Sequence, residues 1–123
     1  MKKIIAIFLT VLSSIVYADC SDGYRRCVSE CGGVSSFYDY QKSKYVYASE
    51  TDFAVKCEDS CRRGKRYCES ESNLSNGCDE FKRKCRNECP TSLYSYKTNN
   101  YIDSSDANSK CEDSCNSGYR RCQ

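Results

Sequence analysis

Twelve cysteines set the frame of this 123-residue chain, at positions 20, 27, 31, 57, 61, 68, 78, 85, 89, 111, 115 and 122. The gaps between them run 7, 4, 26, 4, 7, then 10, then 7, 4, 22, 4, 7, so each half is a palindrome. At about 100° per residue, offsets of 4, 7 and 11 return to within roughly 40° of the starting direction, and each triplet forms one stripe along a helix. Two such stripes run antiparallel and face each other when the residue numbers of paired cysteines have a constant sum. Pairing Cys20 with Cys68, Cys27 with Cys61 and Cys31 with Cys57 gives 88 each time. Cys78 with Cys122, Cys85 with Cys115 and Cys89 with Cys111 give 200. Connectivity is not normally deducible from spacing, but the constant sums make this ladder the simplest choice. The expected fold is all-α: two tandem antiparallel helical hairpins, each stapled by a three-rung disulfide ladder, with long Tyr-rich tip loops.

Composition explains why such a chain needs covalent staples. Only ten residues beyond position 18 are Val, Leu, Ile or Phe, a content that without cross-links reads as disordered. Closing the Cys31 to Cys57 loop contributes about 3.5 kcal/mol by the chain-entropy model, as an upper bound. The start, "MKKIIAIFLTVLSSIVYA", joins two lysines to an apolar run and a small-residue end, the pattern of a secretory signal peptide spanning 1–18. Export to an oxidising compartment agrees with disulfides, so the expected location is secreted or periplasmic, with no stable membrane anchor. Beyond the signal, 17 Lys+Arg (19 less Lys2 and Lys3) meet 17 Asp+Glu. That balance argues against nucleic acid as a partner, which calls for a basic excess.

The halves are internal repeats. "CEDSC" occurs at 57–61 and 111–115, "GYRRC" at 23–27 and 118–122, and "SSFYDY" at 35–40 parallels "TSLYSY" at 91–96. The expected organisation is a first hairpin at 19–70, a polar linker at 71–77 ending in Asn76-Gly77, and a second hairpin at 78–123. Packing of the hairpins as one unit and as two separate beads are both open at this point. Ser49 with Asp52, and Ser104-Ser105-Asp106, are N-capping patterns, and Pro90 follows Cys89 where a helix should stop. Each helix begins acidic and turns basic, which complements the helix dipole and accounts for the arginine pairs as a solvated face. Gly64 and Gly118 fall in the gap of each ladder, where close helix approach is expected, with Tyr24 and Phe81 filling the space opposite.

The loops 32–56 and 90–110 hold seven of the ten tyrosines beyond the signal: Tyr38, Tyr40, Tyr45, Tyr47, Tyr94, Tyr96 and Tyr101. Alternation in "YDY" and "YVY" suggests a short β-hairpin around "QKSK", and "LYSYKTNNYI" suggests another. Loops rich in Tyr, Ser and Asn have the composition of binding surfaces, while the same rings could instead fold back as a miniature core. Connections between neighbouring helices usually need two to eight residues, so these loops are longer than the ladder requires. Catalysis has little support. There is no histidine, so no imidazole base or Ser-His dyad, and every cysteine has a rung partner in a C-x3-C rather than the redox C-x-x-C arrangement.

The framework resembles that of α-hairpinins, plant peptides with C-x3-C on each of two antiparallel helices; here "CVSEC" faces "CEDSC" and "CRNEC" faces the second "CEDSC". That family includes antimicrobial peptides and protease inhibitors, so the resemblance implies a secreted toxin or inhibitor, acting through Lys42, Lys44 and Lys97 at the tips. The chain differs from it in the third rung, the tyrosine loops and the tandem copies. The repeated C-x3-C pairs also resemble those of bacterial copper-storage four-helix bundles, which implies thiolate Cu(I) binding if the cysteines are reduced; those proteins keep an apolar bundle that this chain lacks. The expectation adopted is a secreted, non-enzymatic binding protein without cofactor or metal, whose tyrosine loops contact a macromolecule such as a protein or a cell-surface component.

Overall fold

Four helices carry eleven of the twelve cysteines, with Cys89 directly after the third: α1 at 19–33, α2 at Phe53–Ser70, α3 at Leu74–Glu88 and α4 at Ser105–Cys122. This computed structural model describes residues 19–71 and 73–123, and the apolar leader 1–18 lies outside the described residues. Six disulfides join α1 to α2 through Cys20–Cys68, Cys27–Cys61 and Cys31–Cys57, and α3 to α4 through Cys78–Cys122, Cys85–Cys115 and Cys89–Cys111. No cysteine among the described residues is free.

The halves pack on each other through their sulfurs. Sγ of Cys27 lies 3.7 Å from Sγ of Cys85, and Sγ of Cys68 lies 3.7 Å from Sγ of Cys122; all four belong to disulfides, so these are van der Waals contacts. Disulfides therefore take the place that aliphatic side chains hold in an ordinary helical core. Between the sulfur layers one aromatic ring, Phe81, is fully buried. A Cβ on Gly118 would lie 2.8 Å from its Cε1, and a Cβ on Gly64 would lie 2.8 Å from its carbonyl oxygen. Gly23 faces Gly118 so closely that a Cβ there would meet the Gly118 carbonyl oxygen at 2.8 Å. The close approach expected at Gly64 and Gly118 thus runs between the halves, and Gly23, not Tyr24, is the residue packed into it. Tyr24 lies at the edge, half-buried, with the Lys65 ammonium 5.0 Å from its ring centre.

The connection between the halves is shorter than 71–77. Helix α3 begins at Leu74, and Gly77 lies inside it, donating its N–H to the Asn73 carbonyl at 2.8 Å. A Cβ at Gly77 would meet the Cys68 carbonyl oxygen at 2.8 Å. Gly77 is therefore a close contact of α3 with α2 rather than the end of a linker.

The fold is mostly helical but not all-α. Each long loop contains a two-stranded antiparallel sheet: β1 (Ser36–Asp39) with β2 (Lys44–Tyr47), and β3 (Ser92–Ser95) with β4 (Asn100–Asp103). Alternation sends Phe37 and Leu93 inward to full burial, with the Phe37 and Phe53 ring centres 5.8 Å apart, and sends the tyrosines outward. Ser43 and Asn99, at the ends of the two turns, take positive φ of 52° and 56°.

A two-stranded hairpin is marginal alone, and here each inner strand is held by the opposite half. The Asp106 carboxylate of α4 accepts the Tyr38 N–H at 2.7 Å, and the Ser104 hydroxyl donates to the Tyr38 carbonyl at 3.0 Å. Reciprocally, the Asp52 carboxylate accepts the Tyr94 N–H at 2.9 Å, and the Asp52 N–H donates to the Tyr94 carbonyl at 3.1 Å. Asp52 and Asp106 each stand five residues before the first cysteine of their helix, so one contact is made twice in exchanged form. Capping follows the same logic. Ser104 accepts the Ala107 N–H at 3.0 Å and caps α4, whereas Asp52 makes no side-chain cap because its carboxylate is committed to the strand of the other half.

Candidate functional site

Both hairpins stand at one end of the helices, and the reciprocal contacts set them side by side as a single face. Six of the seven loop tyrosines form two matching triads. Tyr38 makes edge contacts with Tyr40 (centroids 4.8 Å apart) and Tyr45 (5.1 Å), and Tyr94 does so with Tyr96 (5.6 Å) and Tyr101 (5.2 Å). Tyr47 stands outside the triads. The central rings, Tyr38 and Tyr94, are half-buried, and Tyr94 donates its hydroxyl to Asn99 Oδ1 at 3.3 Å. The other five, Tyr40, Tyr45, Tyr47, Tyr96 and Tyr101, are 59–71% exposed. The miniature core beneath the face is made by Phe37, Phe53, Leu93 and Ile102, so the tyrosines are not needed to fill it.

Between the hairpins lies a cleft of about 210 Å³, walled by Tyr45, Val46, Tyr47 and Ile102 and rimmed by Lys42, Lys44 and Lys97. Lys97 pairs with Glu50 at 3.9 Å; among the described residues Lys42 and Lys44 make no ion pair. The floor contains Asp39, 1% exposed. Its Oδ1 accepts the N–H groups of Gln41 and Lys42 at 3.0 and 3.3 Å, the aspartate-centred turn expected of "YDYQK". In the other hairpin Ser95 does the equivalent work, its hydroxyl accepting the Thr98 N–H at 3.3 Å. Sequence reasoning missed Asp39, although an Asp at the end of a strand before a polar turn is the signal for it.

The sulfurs form a second cluster. Those of Cys27, Cys61 and Cys85, for example, lie within 4.8 Å of one another. Each is in a disulfide, so this arrangement offers no thiolate to a soft metal ion. On the helices, Lys82 lies 4.8 Å from the Tyr119 ring centre and Lys84 4.4 Å from that of Tyr67, and Tyr119 donates its hydroxyl to the Asp79 carboxylate at 3.1 Å. These cations are engaged with rings of the helical surface. No described helix is long and apolar enough to cross a membrane. No protein-family model, curated protein or solved structure matches the chain.

Proposed function

We propose that this is a secreted, non-enzymatic binding protein that presents its paired tyrosine hairpins to a macromolecular partner. The observation that carries the reading is the five exposed rings on one face, carried by hairpins whose inner strands, β1 and β3, are tied to the opposite half. Tyrosine supplies large amphipathic contact area at low entropy cost, and a mount that is already ordered removes part of the cost of binding. Six disulfides suit an oxidising compartment; secreted or periplasmic delivery follows from the signal-peptide pattern at 1–18.

The test replaces Tyr40, Tyr45, Tyr96 and Tyr101 by Ser, with intact mass confirming six disulfides, and compares capture from the surface of the producing cells or their neighbours. Loss of capture supports the reading, and undiminished capture by a correctly oxidised variant refutes it. A secreted toxin or protease inhibitor is a second reading, favoured by Lys42, Lys44 and Lys97 lining one cleft. Under that reading, replacing those lysines by Gln abolishes killing or inhibition while the tyrosine variant retains it.

A further inference from the structure

The cleft between the hairpins combines features that neither hairpin has alone. Asp39 is buried in its floor, and while Oδ1 is occupied by two turn N–H groups, Oδ2 has no partner among the described residues. That oxygen keeps access to solvent at the floor of the cleft, so a ligand hydroxyl can donate to it in place of water. Above it, the ammonium groups of Lys42 and Lys44 have no counter-ion among the described residues, and Lys97 has only a long, exposed pairing with Glu50. The walls contribute the tyrosines Tyr45 and Tyr47. The cleft therefore wants hydroxyl donors at its floor, an anion at its rim and a flat face with polarised C–H groups against its rings.

We propose that this cleft binds an acidic saccharide, one sugar unit carrying a carboxylate within a longer glycan. Ring hydroxyls donate to Asp39 Oδ2, the sugar carboxylate accepts from Lys42 and Lys44, and the C–H face of the ring lies against tyrosine, where the negative π face favours it. A volume of about 210 Å³ suits one ring-sized unit better than a folded protein segment. An acidic peptide satisfies the lysines equally, but its side-chain carboxylates bring no hydroxyl to donate to Asp39 at the floor. This inference rests on the binding reading above and names its partner class.

The test follows backbone amides of the isotope-labelled, fully oxidised protein by NMR while adding tetragalacturonate, cellotetraose or hexaglutamate at about 0.15 M salt, where exposed charges are screened beyond roughly 8 Å. Saturable shifts at Asp39, Lys42, Lys44 and Lys97 with tetragalacturonate, at least tenfold weaker with each of the other two, are expected. The double variant Lys42→Gln, Lys44→Gln should weaken binding at least tenfold. Asp39→Asn, whose Oδ1 still accepts the turn N–H groups, should weaken it severalfold with the spectrum of the turn unchanged. No saturable shift with tetragalacturonate, or equal shifts with hexaglutamate, overturns the assignment. If that happens while the tyrosine variant still loses cell-surface capture, the ligand class falls and the binding face stands; if capture is also unaffected, both fall.

Discussion

Four residues decide how the helices meet. Gly23 and Phe81 occupy the same place in the two repeats, three residues after the first cysteine, and Gly64 and Gly118 both stand four before the last. One ring and three glycines share the centre because a second ring would meet helix backbone. This yields a prediction of sign. At an open helix position Gly→Ala gains up to about 1 kcal/mol, and Gly32, with nothing within 4 Å of its Cβ position, should show that gain. Gly23→Ala should instead lose about 1–3 kcal/mol, since its Cβ meets a backbone oxygen that has no room to yield. Guanidinium unfolding of the oxidised proteins checks both, and a stabilised Gly23→Ala variant would refute this packing account.

A second residue-scale prediction concerns Tyr119. Its phenol is held above its usual pKa, first by the hydrogen bond to the Asp79 carboxylate and then by burial. The neutral form is thus favoured in the fold, so this contribution is complete below the ordinary tyrosine pKa near 10 and is lost as pH rises through the elevated value. Absorbance titration of the Asp79→Asn variant should show one tyrosine ionising at lower pH than in the parent protein. An unchanged curve would mean that the hydrogen bond does not exist in solution.

Among the elements, the hairpins depend on contacts that look like ordinary helix caps. Asp106→Ala removes the acceptor for the Tyr38 N–H, leaving a partly buried donor without a partner at about 1–3 kcal/mol. Amide exchange at Tyr38 should accelerate at least tenfold, with little change in the cysteine-bearing middle of the helices. Asp52→Ala should do the same at Tyr94. Exchange that rises equally throughout the molecule would show that the hairpins are not locally held. Strand alternation was legible in "SSFYDY" and "YVY", because a period of two needs only local sequence. The partner of each strand edge was not legible, since an Asp five residues before a cysteine reads the same whether it caps its own helix or binds a distant strand.

At the scale of the whole molecule, the halves are held together by sulfur contacts, by Phe81 and its glycines, and by the exchanged strand contacts. The peptide connection at 71–73 is not what joins them. A protease site inserted there should leave both fragments, each closed by three disulfides, co-eluting at the size of the intact protein under native conditions. Fragments that separate on dilution would restore the picture of two beads. The same arrangement makes the cleft, whose walls come from both halves: Tyr45 and Asp39 from one, Lys97 and Ile102 from the other.

By itself the sequence determined the four helices and the spacing of the six rungs, because helical period and antiparallel pairing leave their arithmetic in residue numbers. It also placed the tyrosines on two loops and suggested their strands. Only the tertiary structure decided that the halves interlock, that Gly77 lies within a helix and that Asp39 floors a cleft. The interlock and the cleft depend on which surfaces meet across more than forty residues of chain, and spacing within one repeat is identical for halves that pack together and halves that do not; the place of Gly77 depends on how closely α3 passes Cys68 of α2.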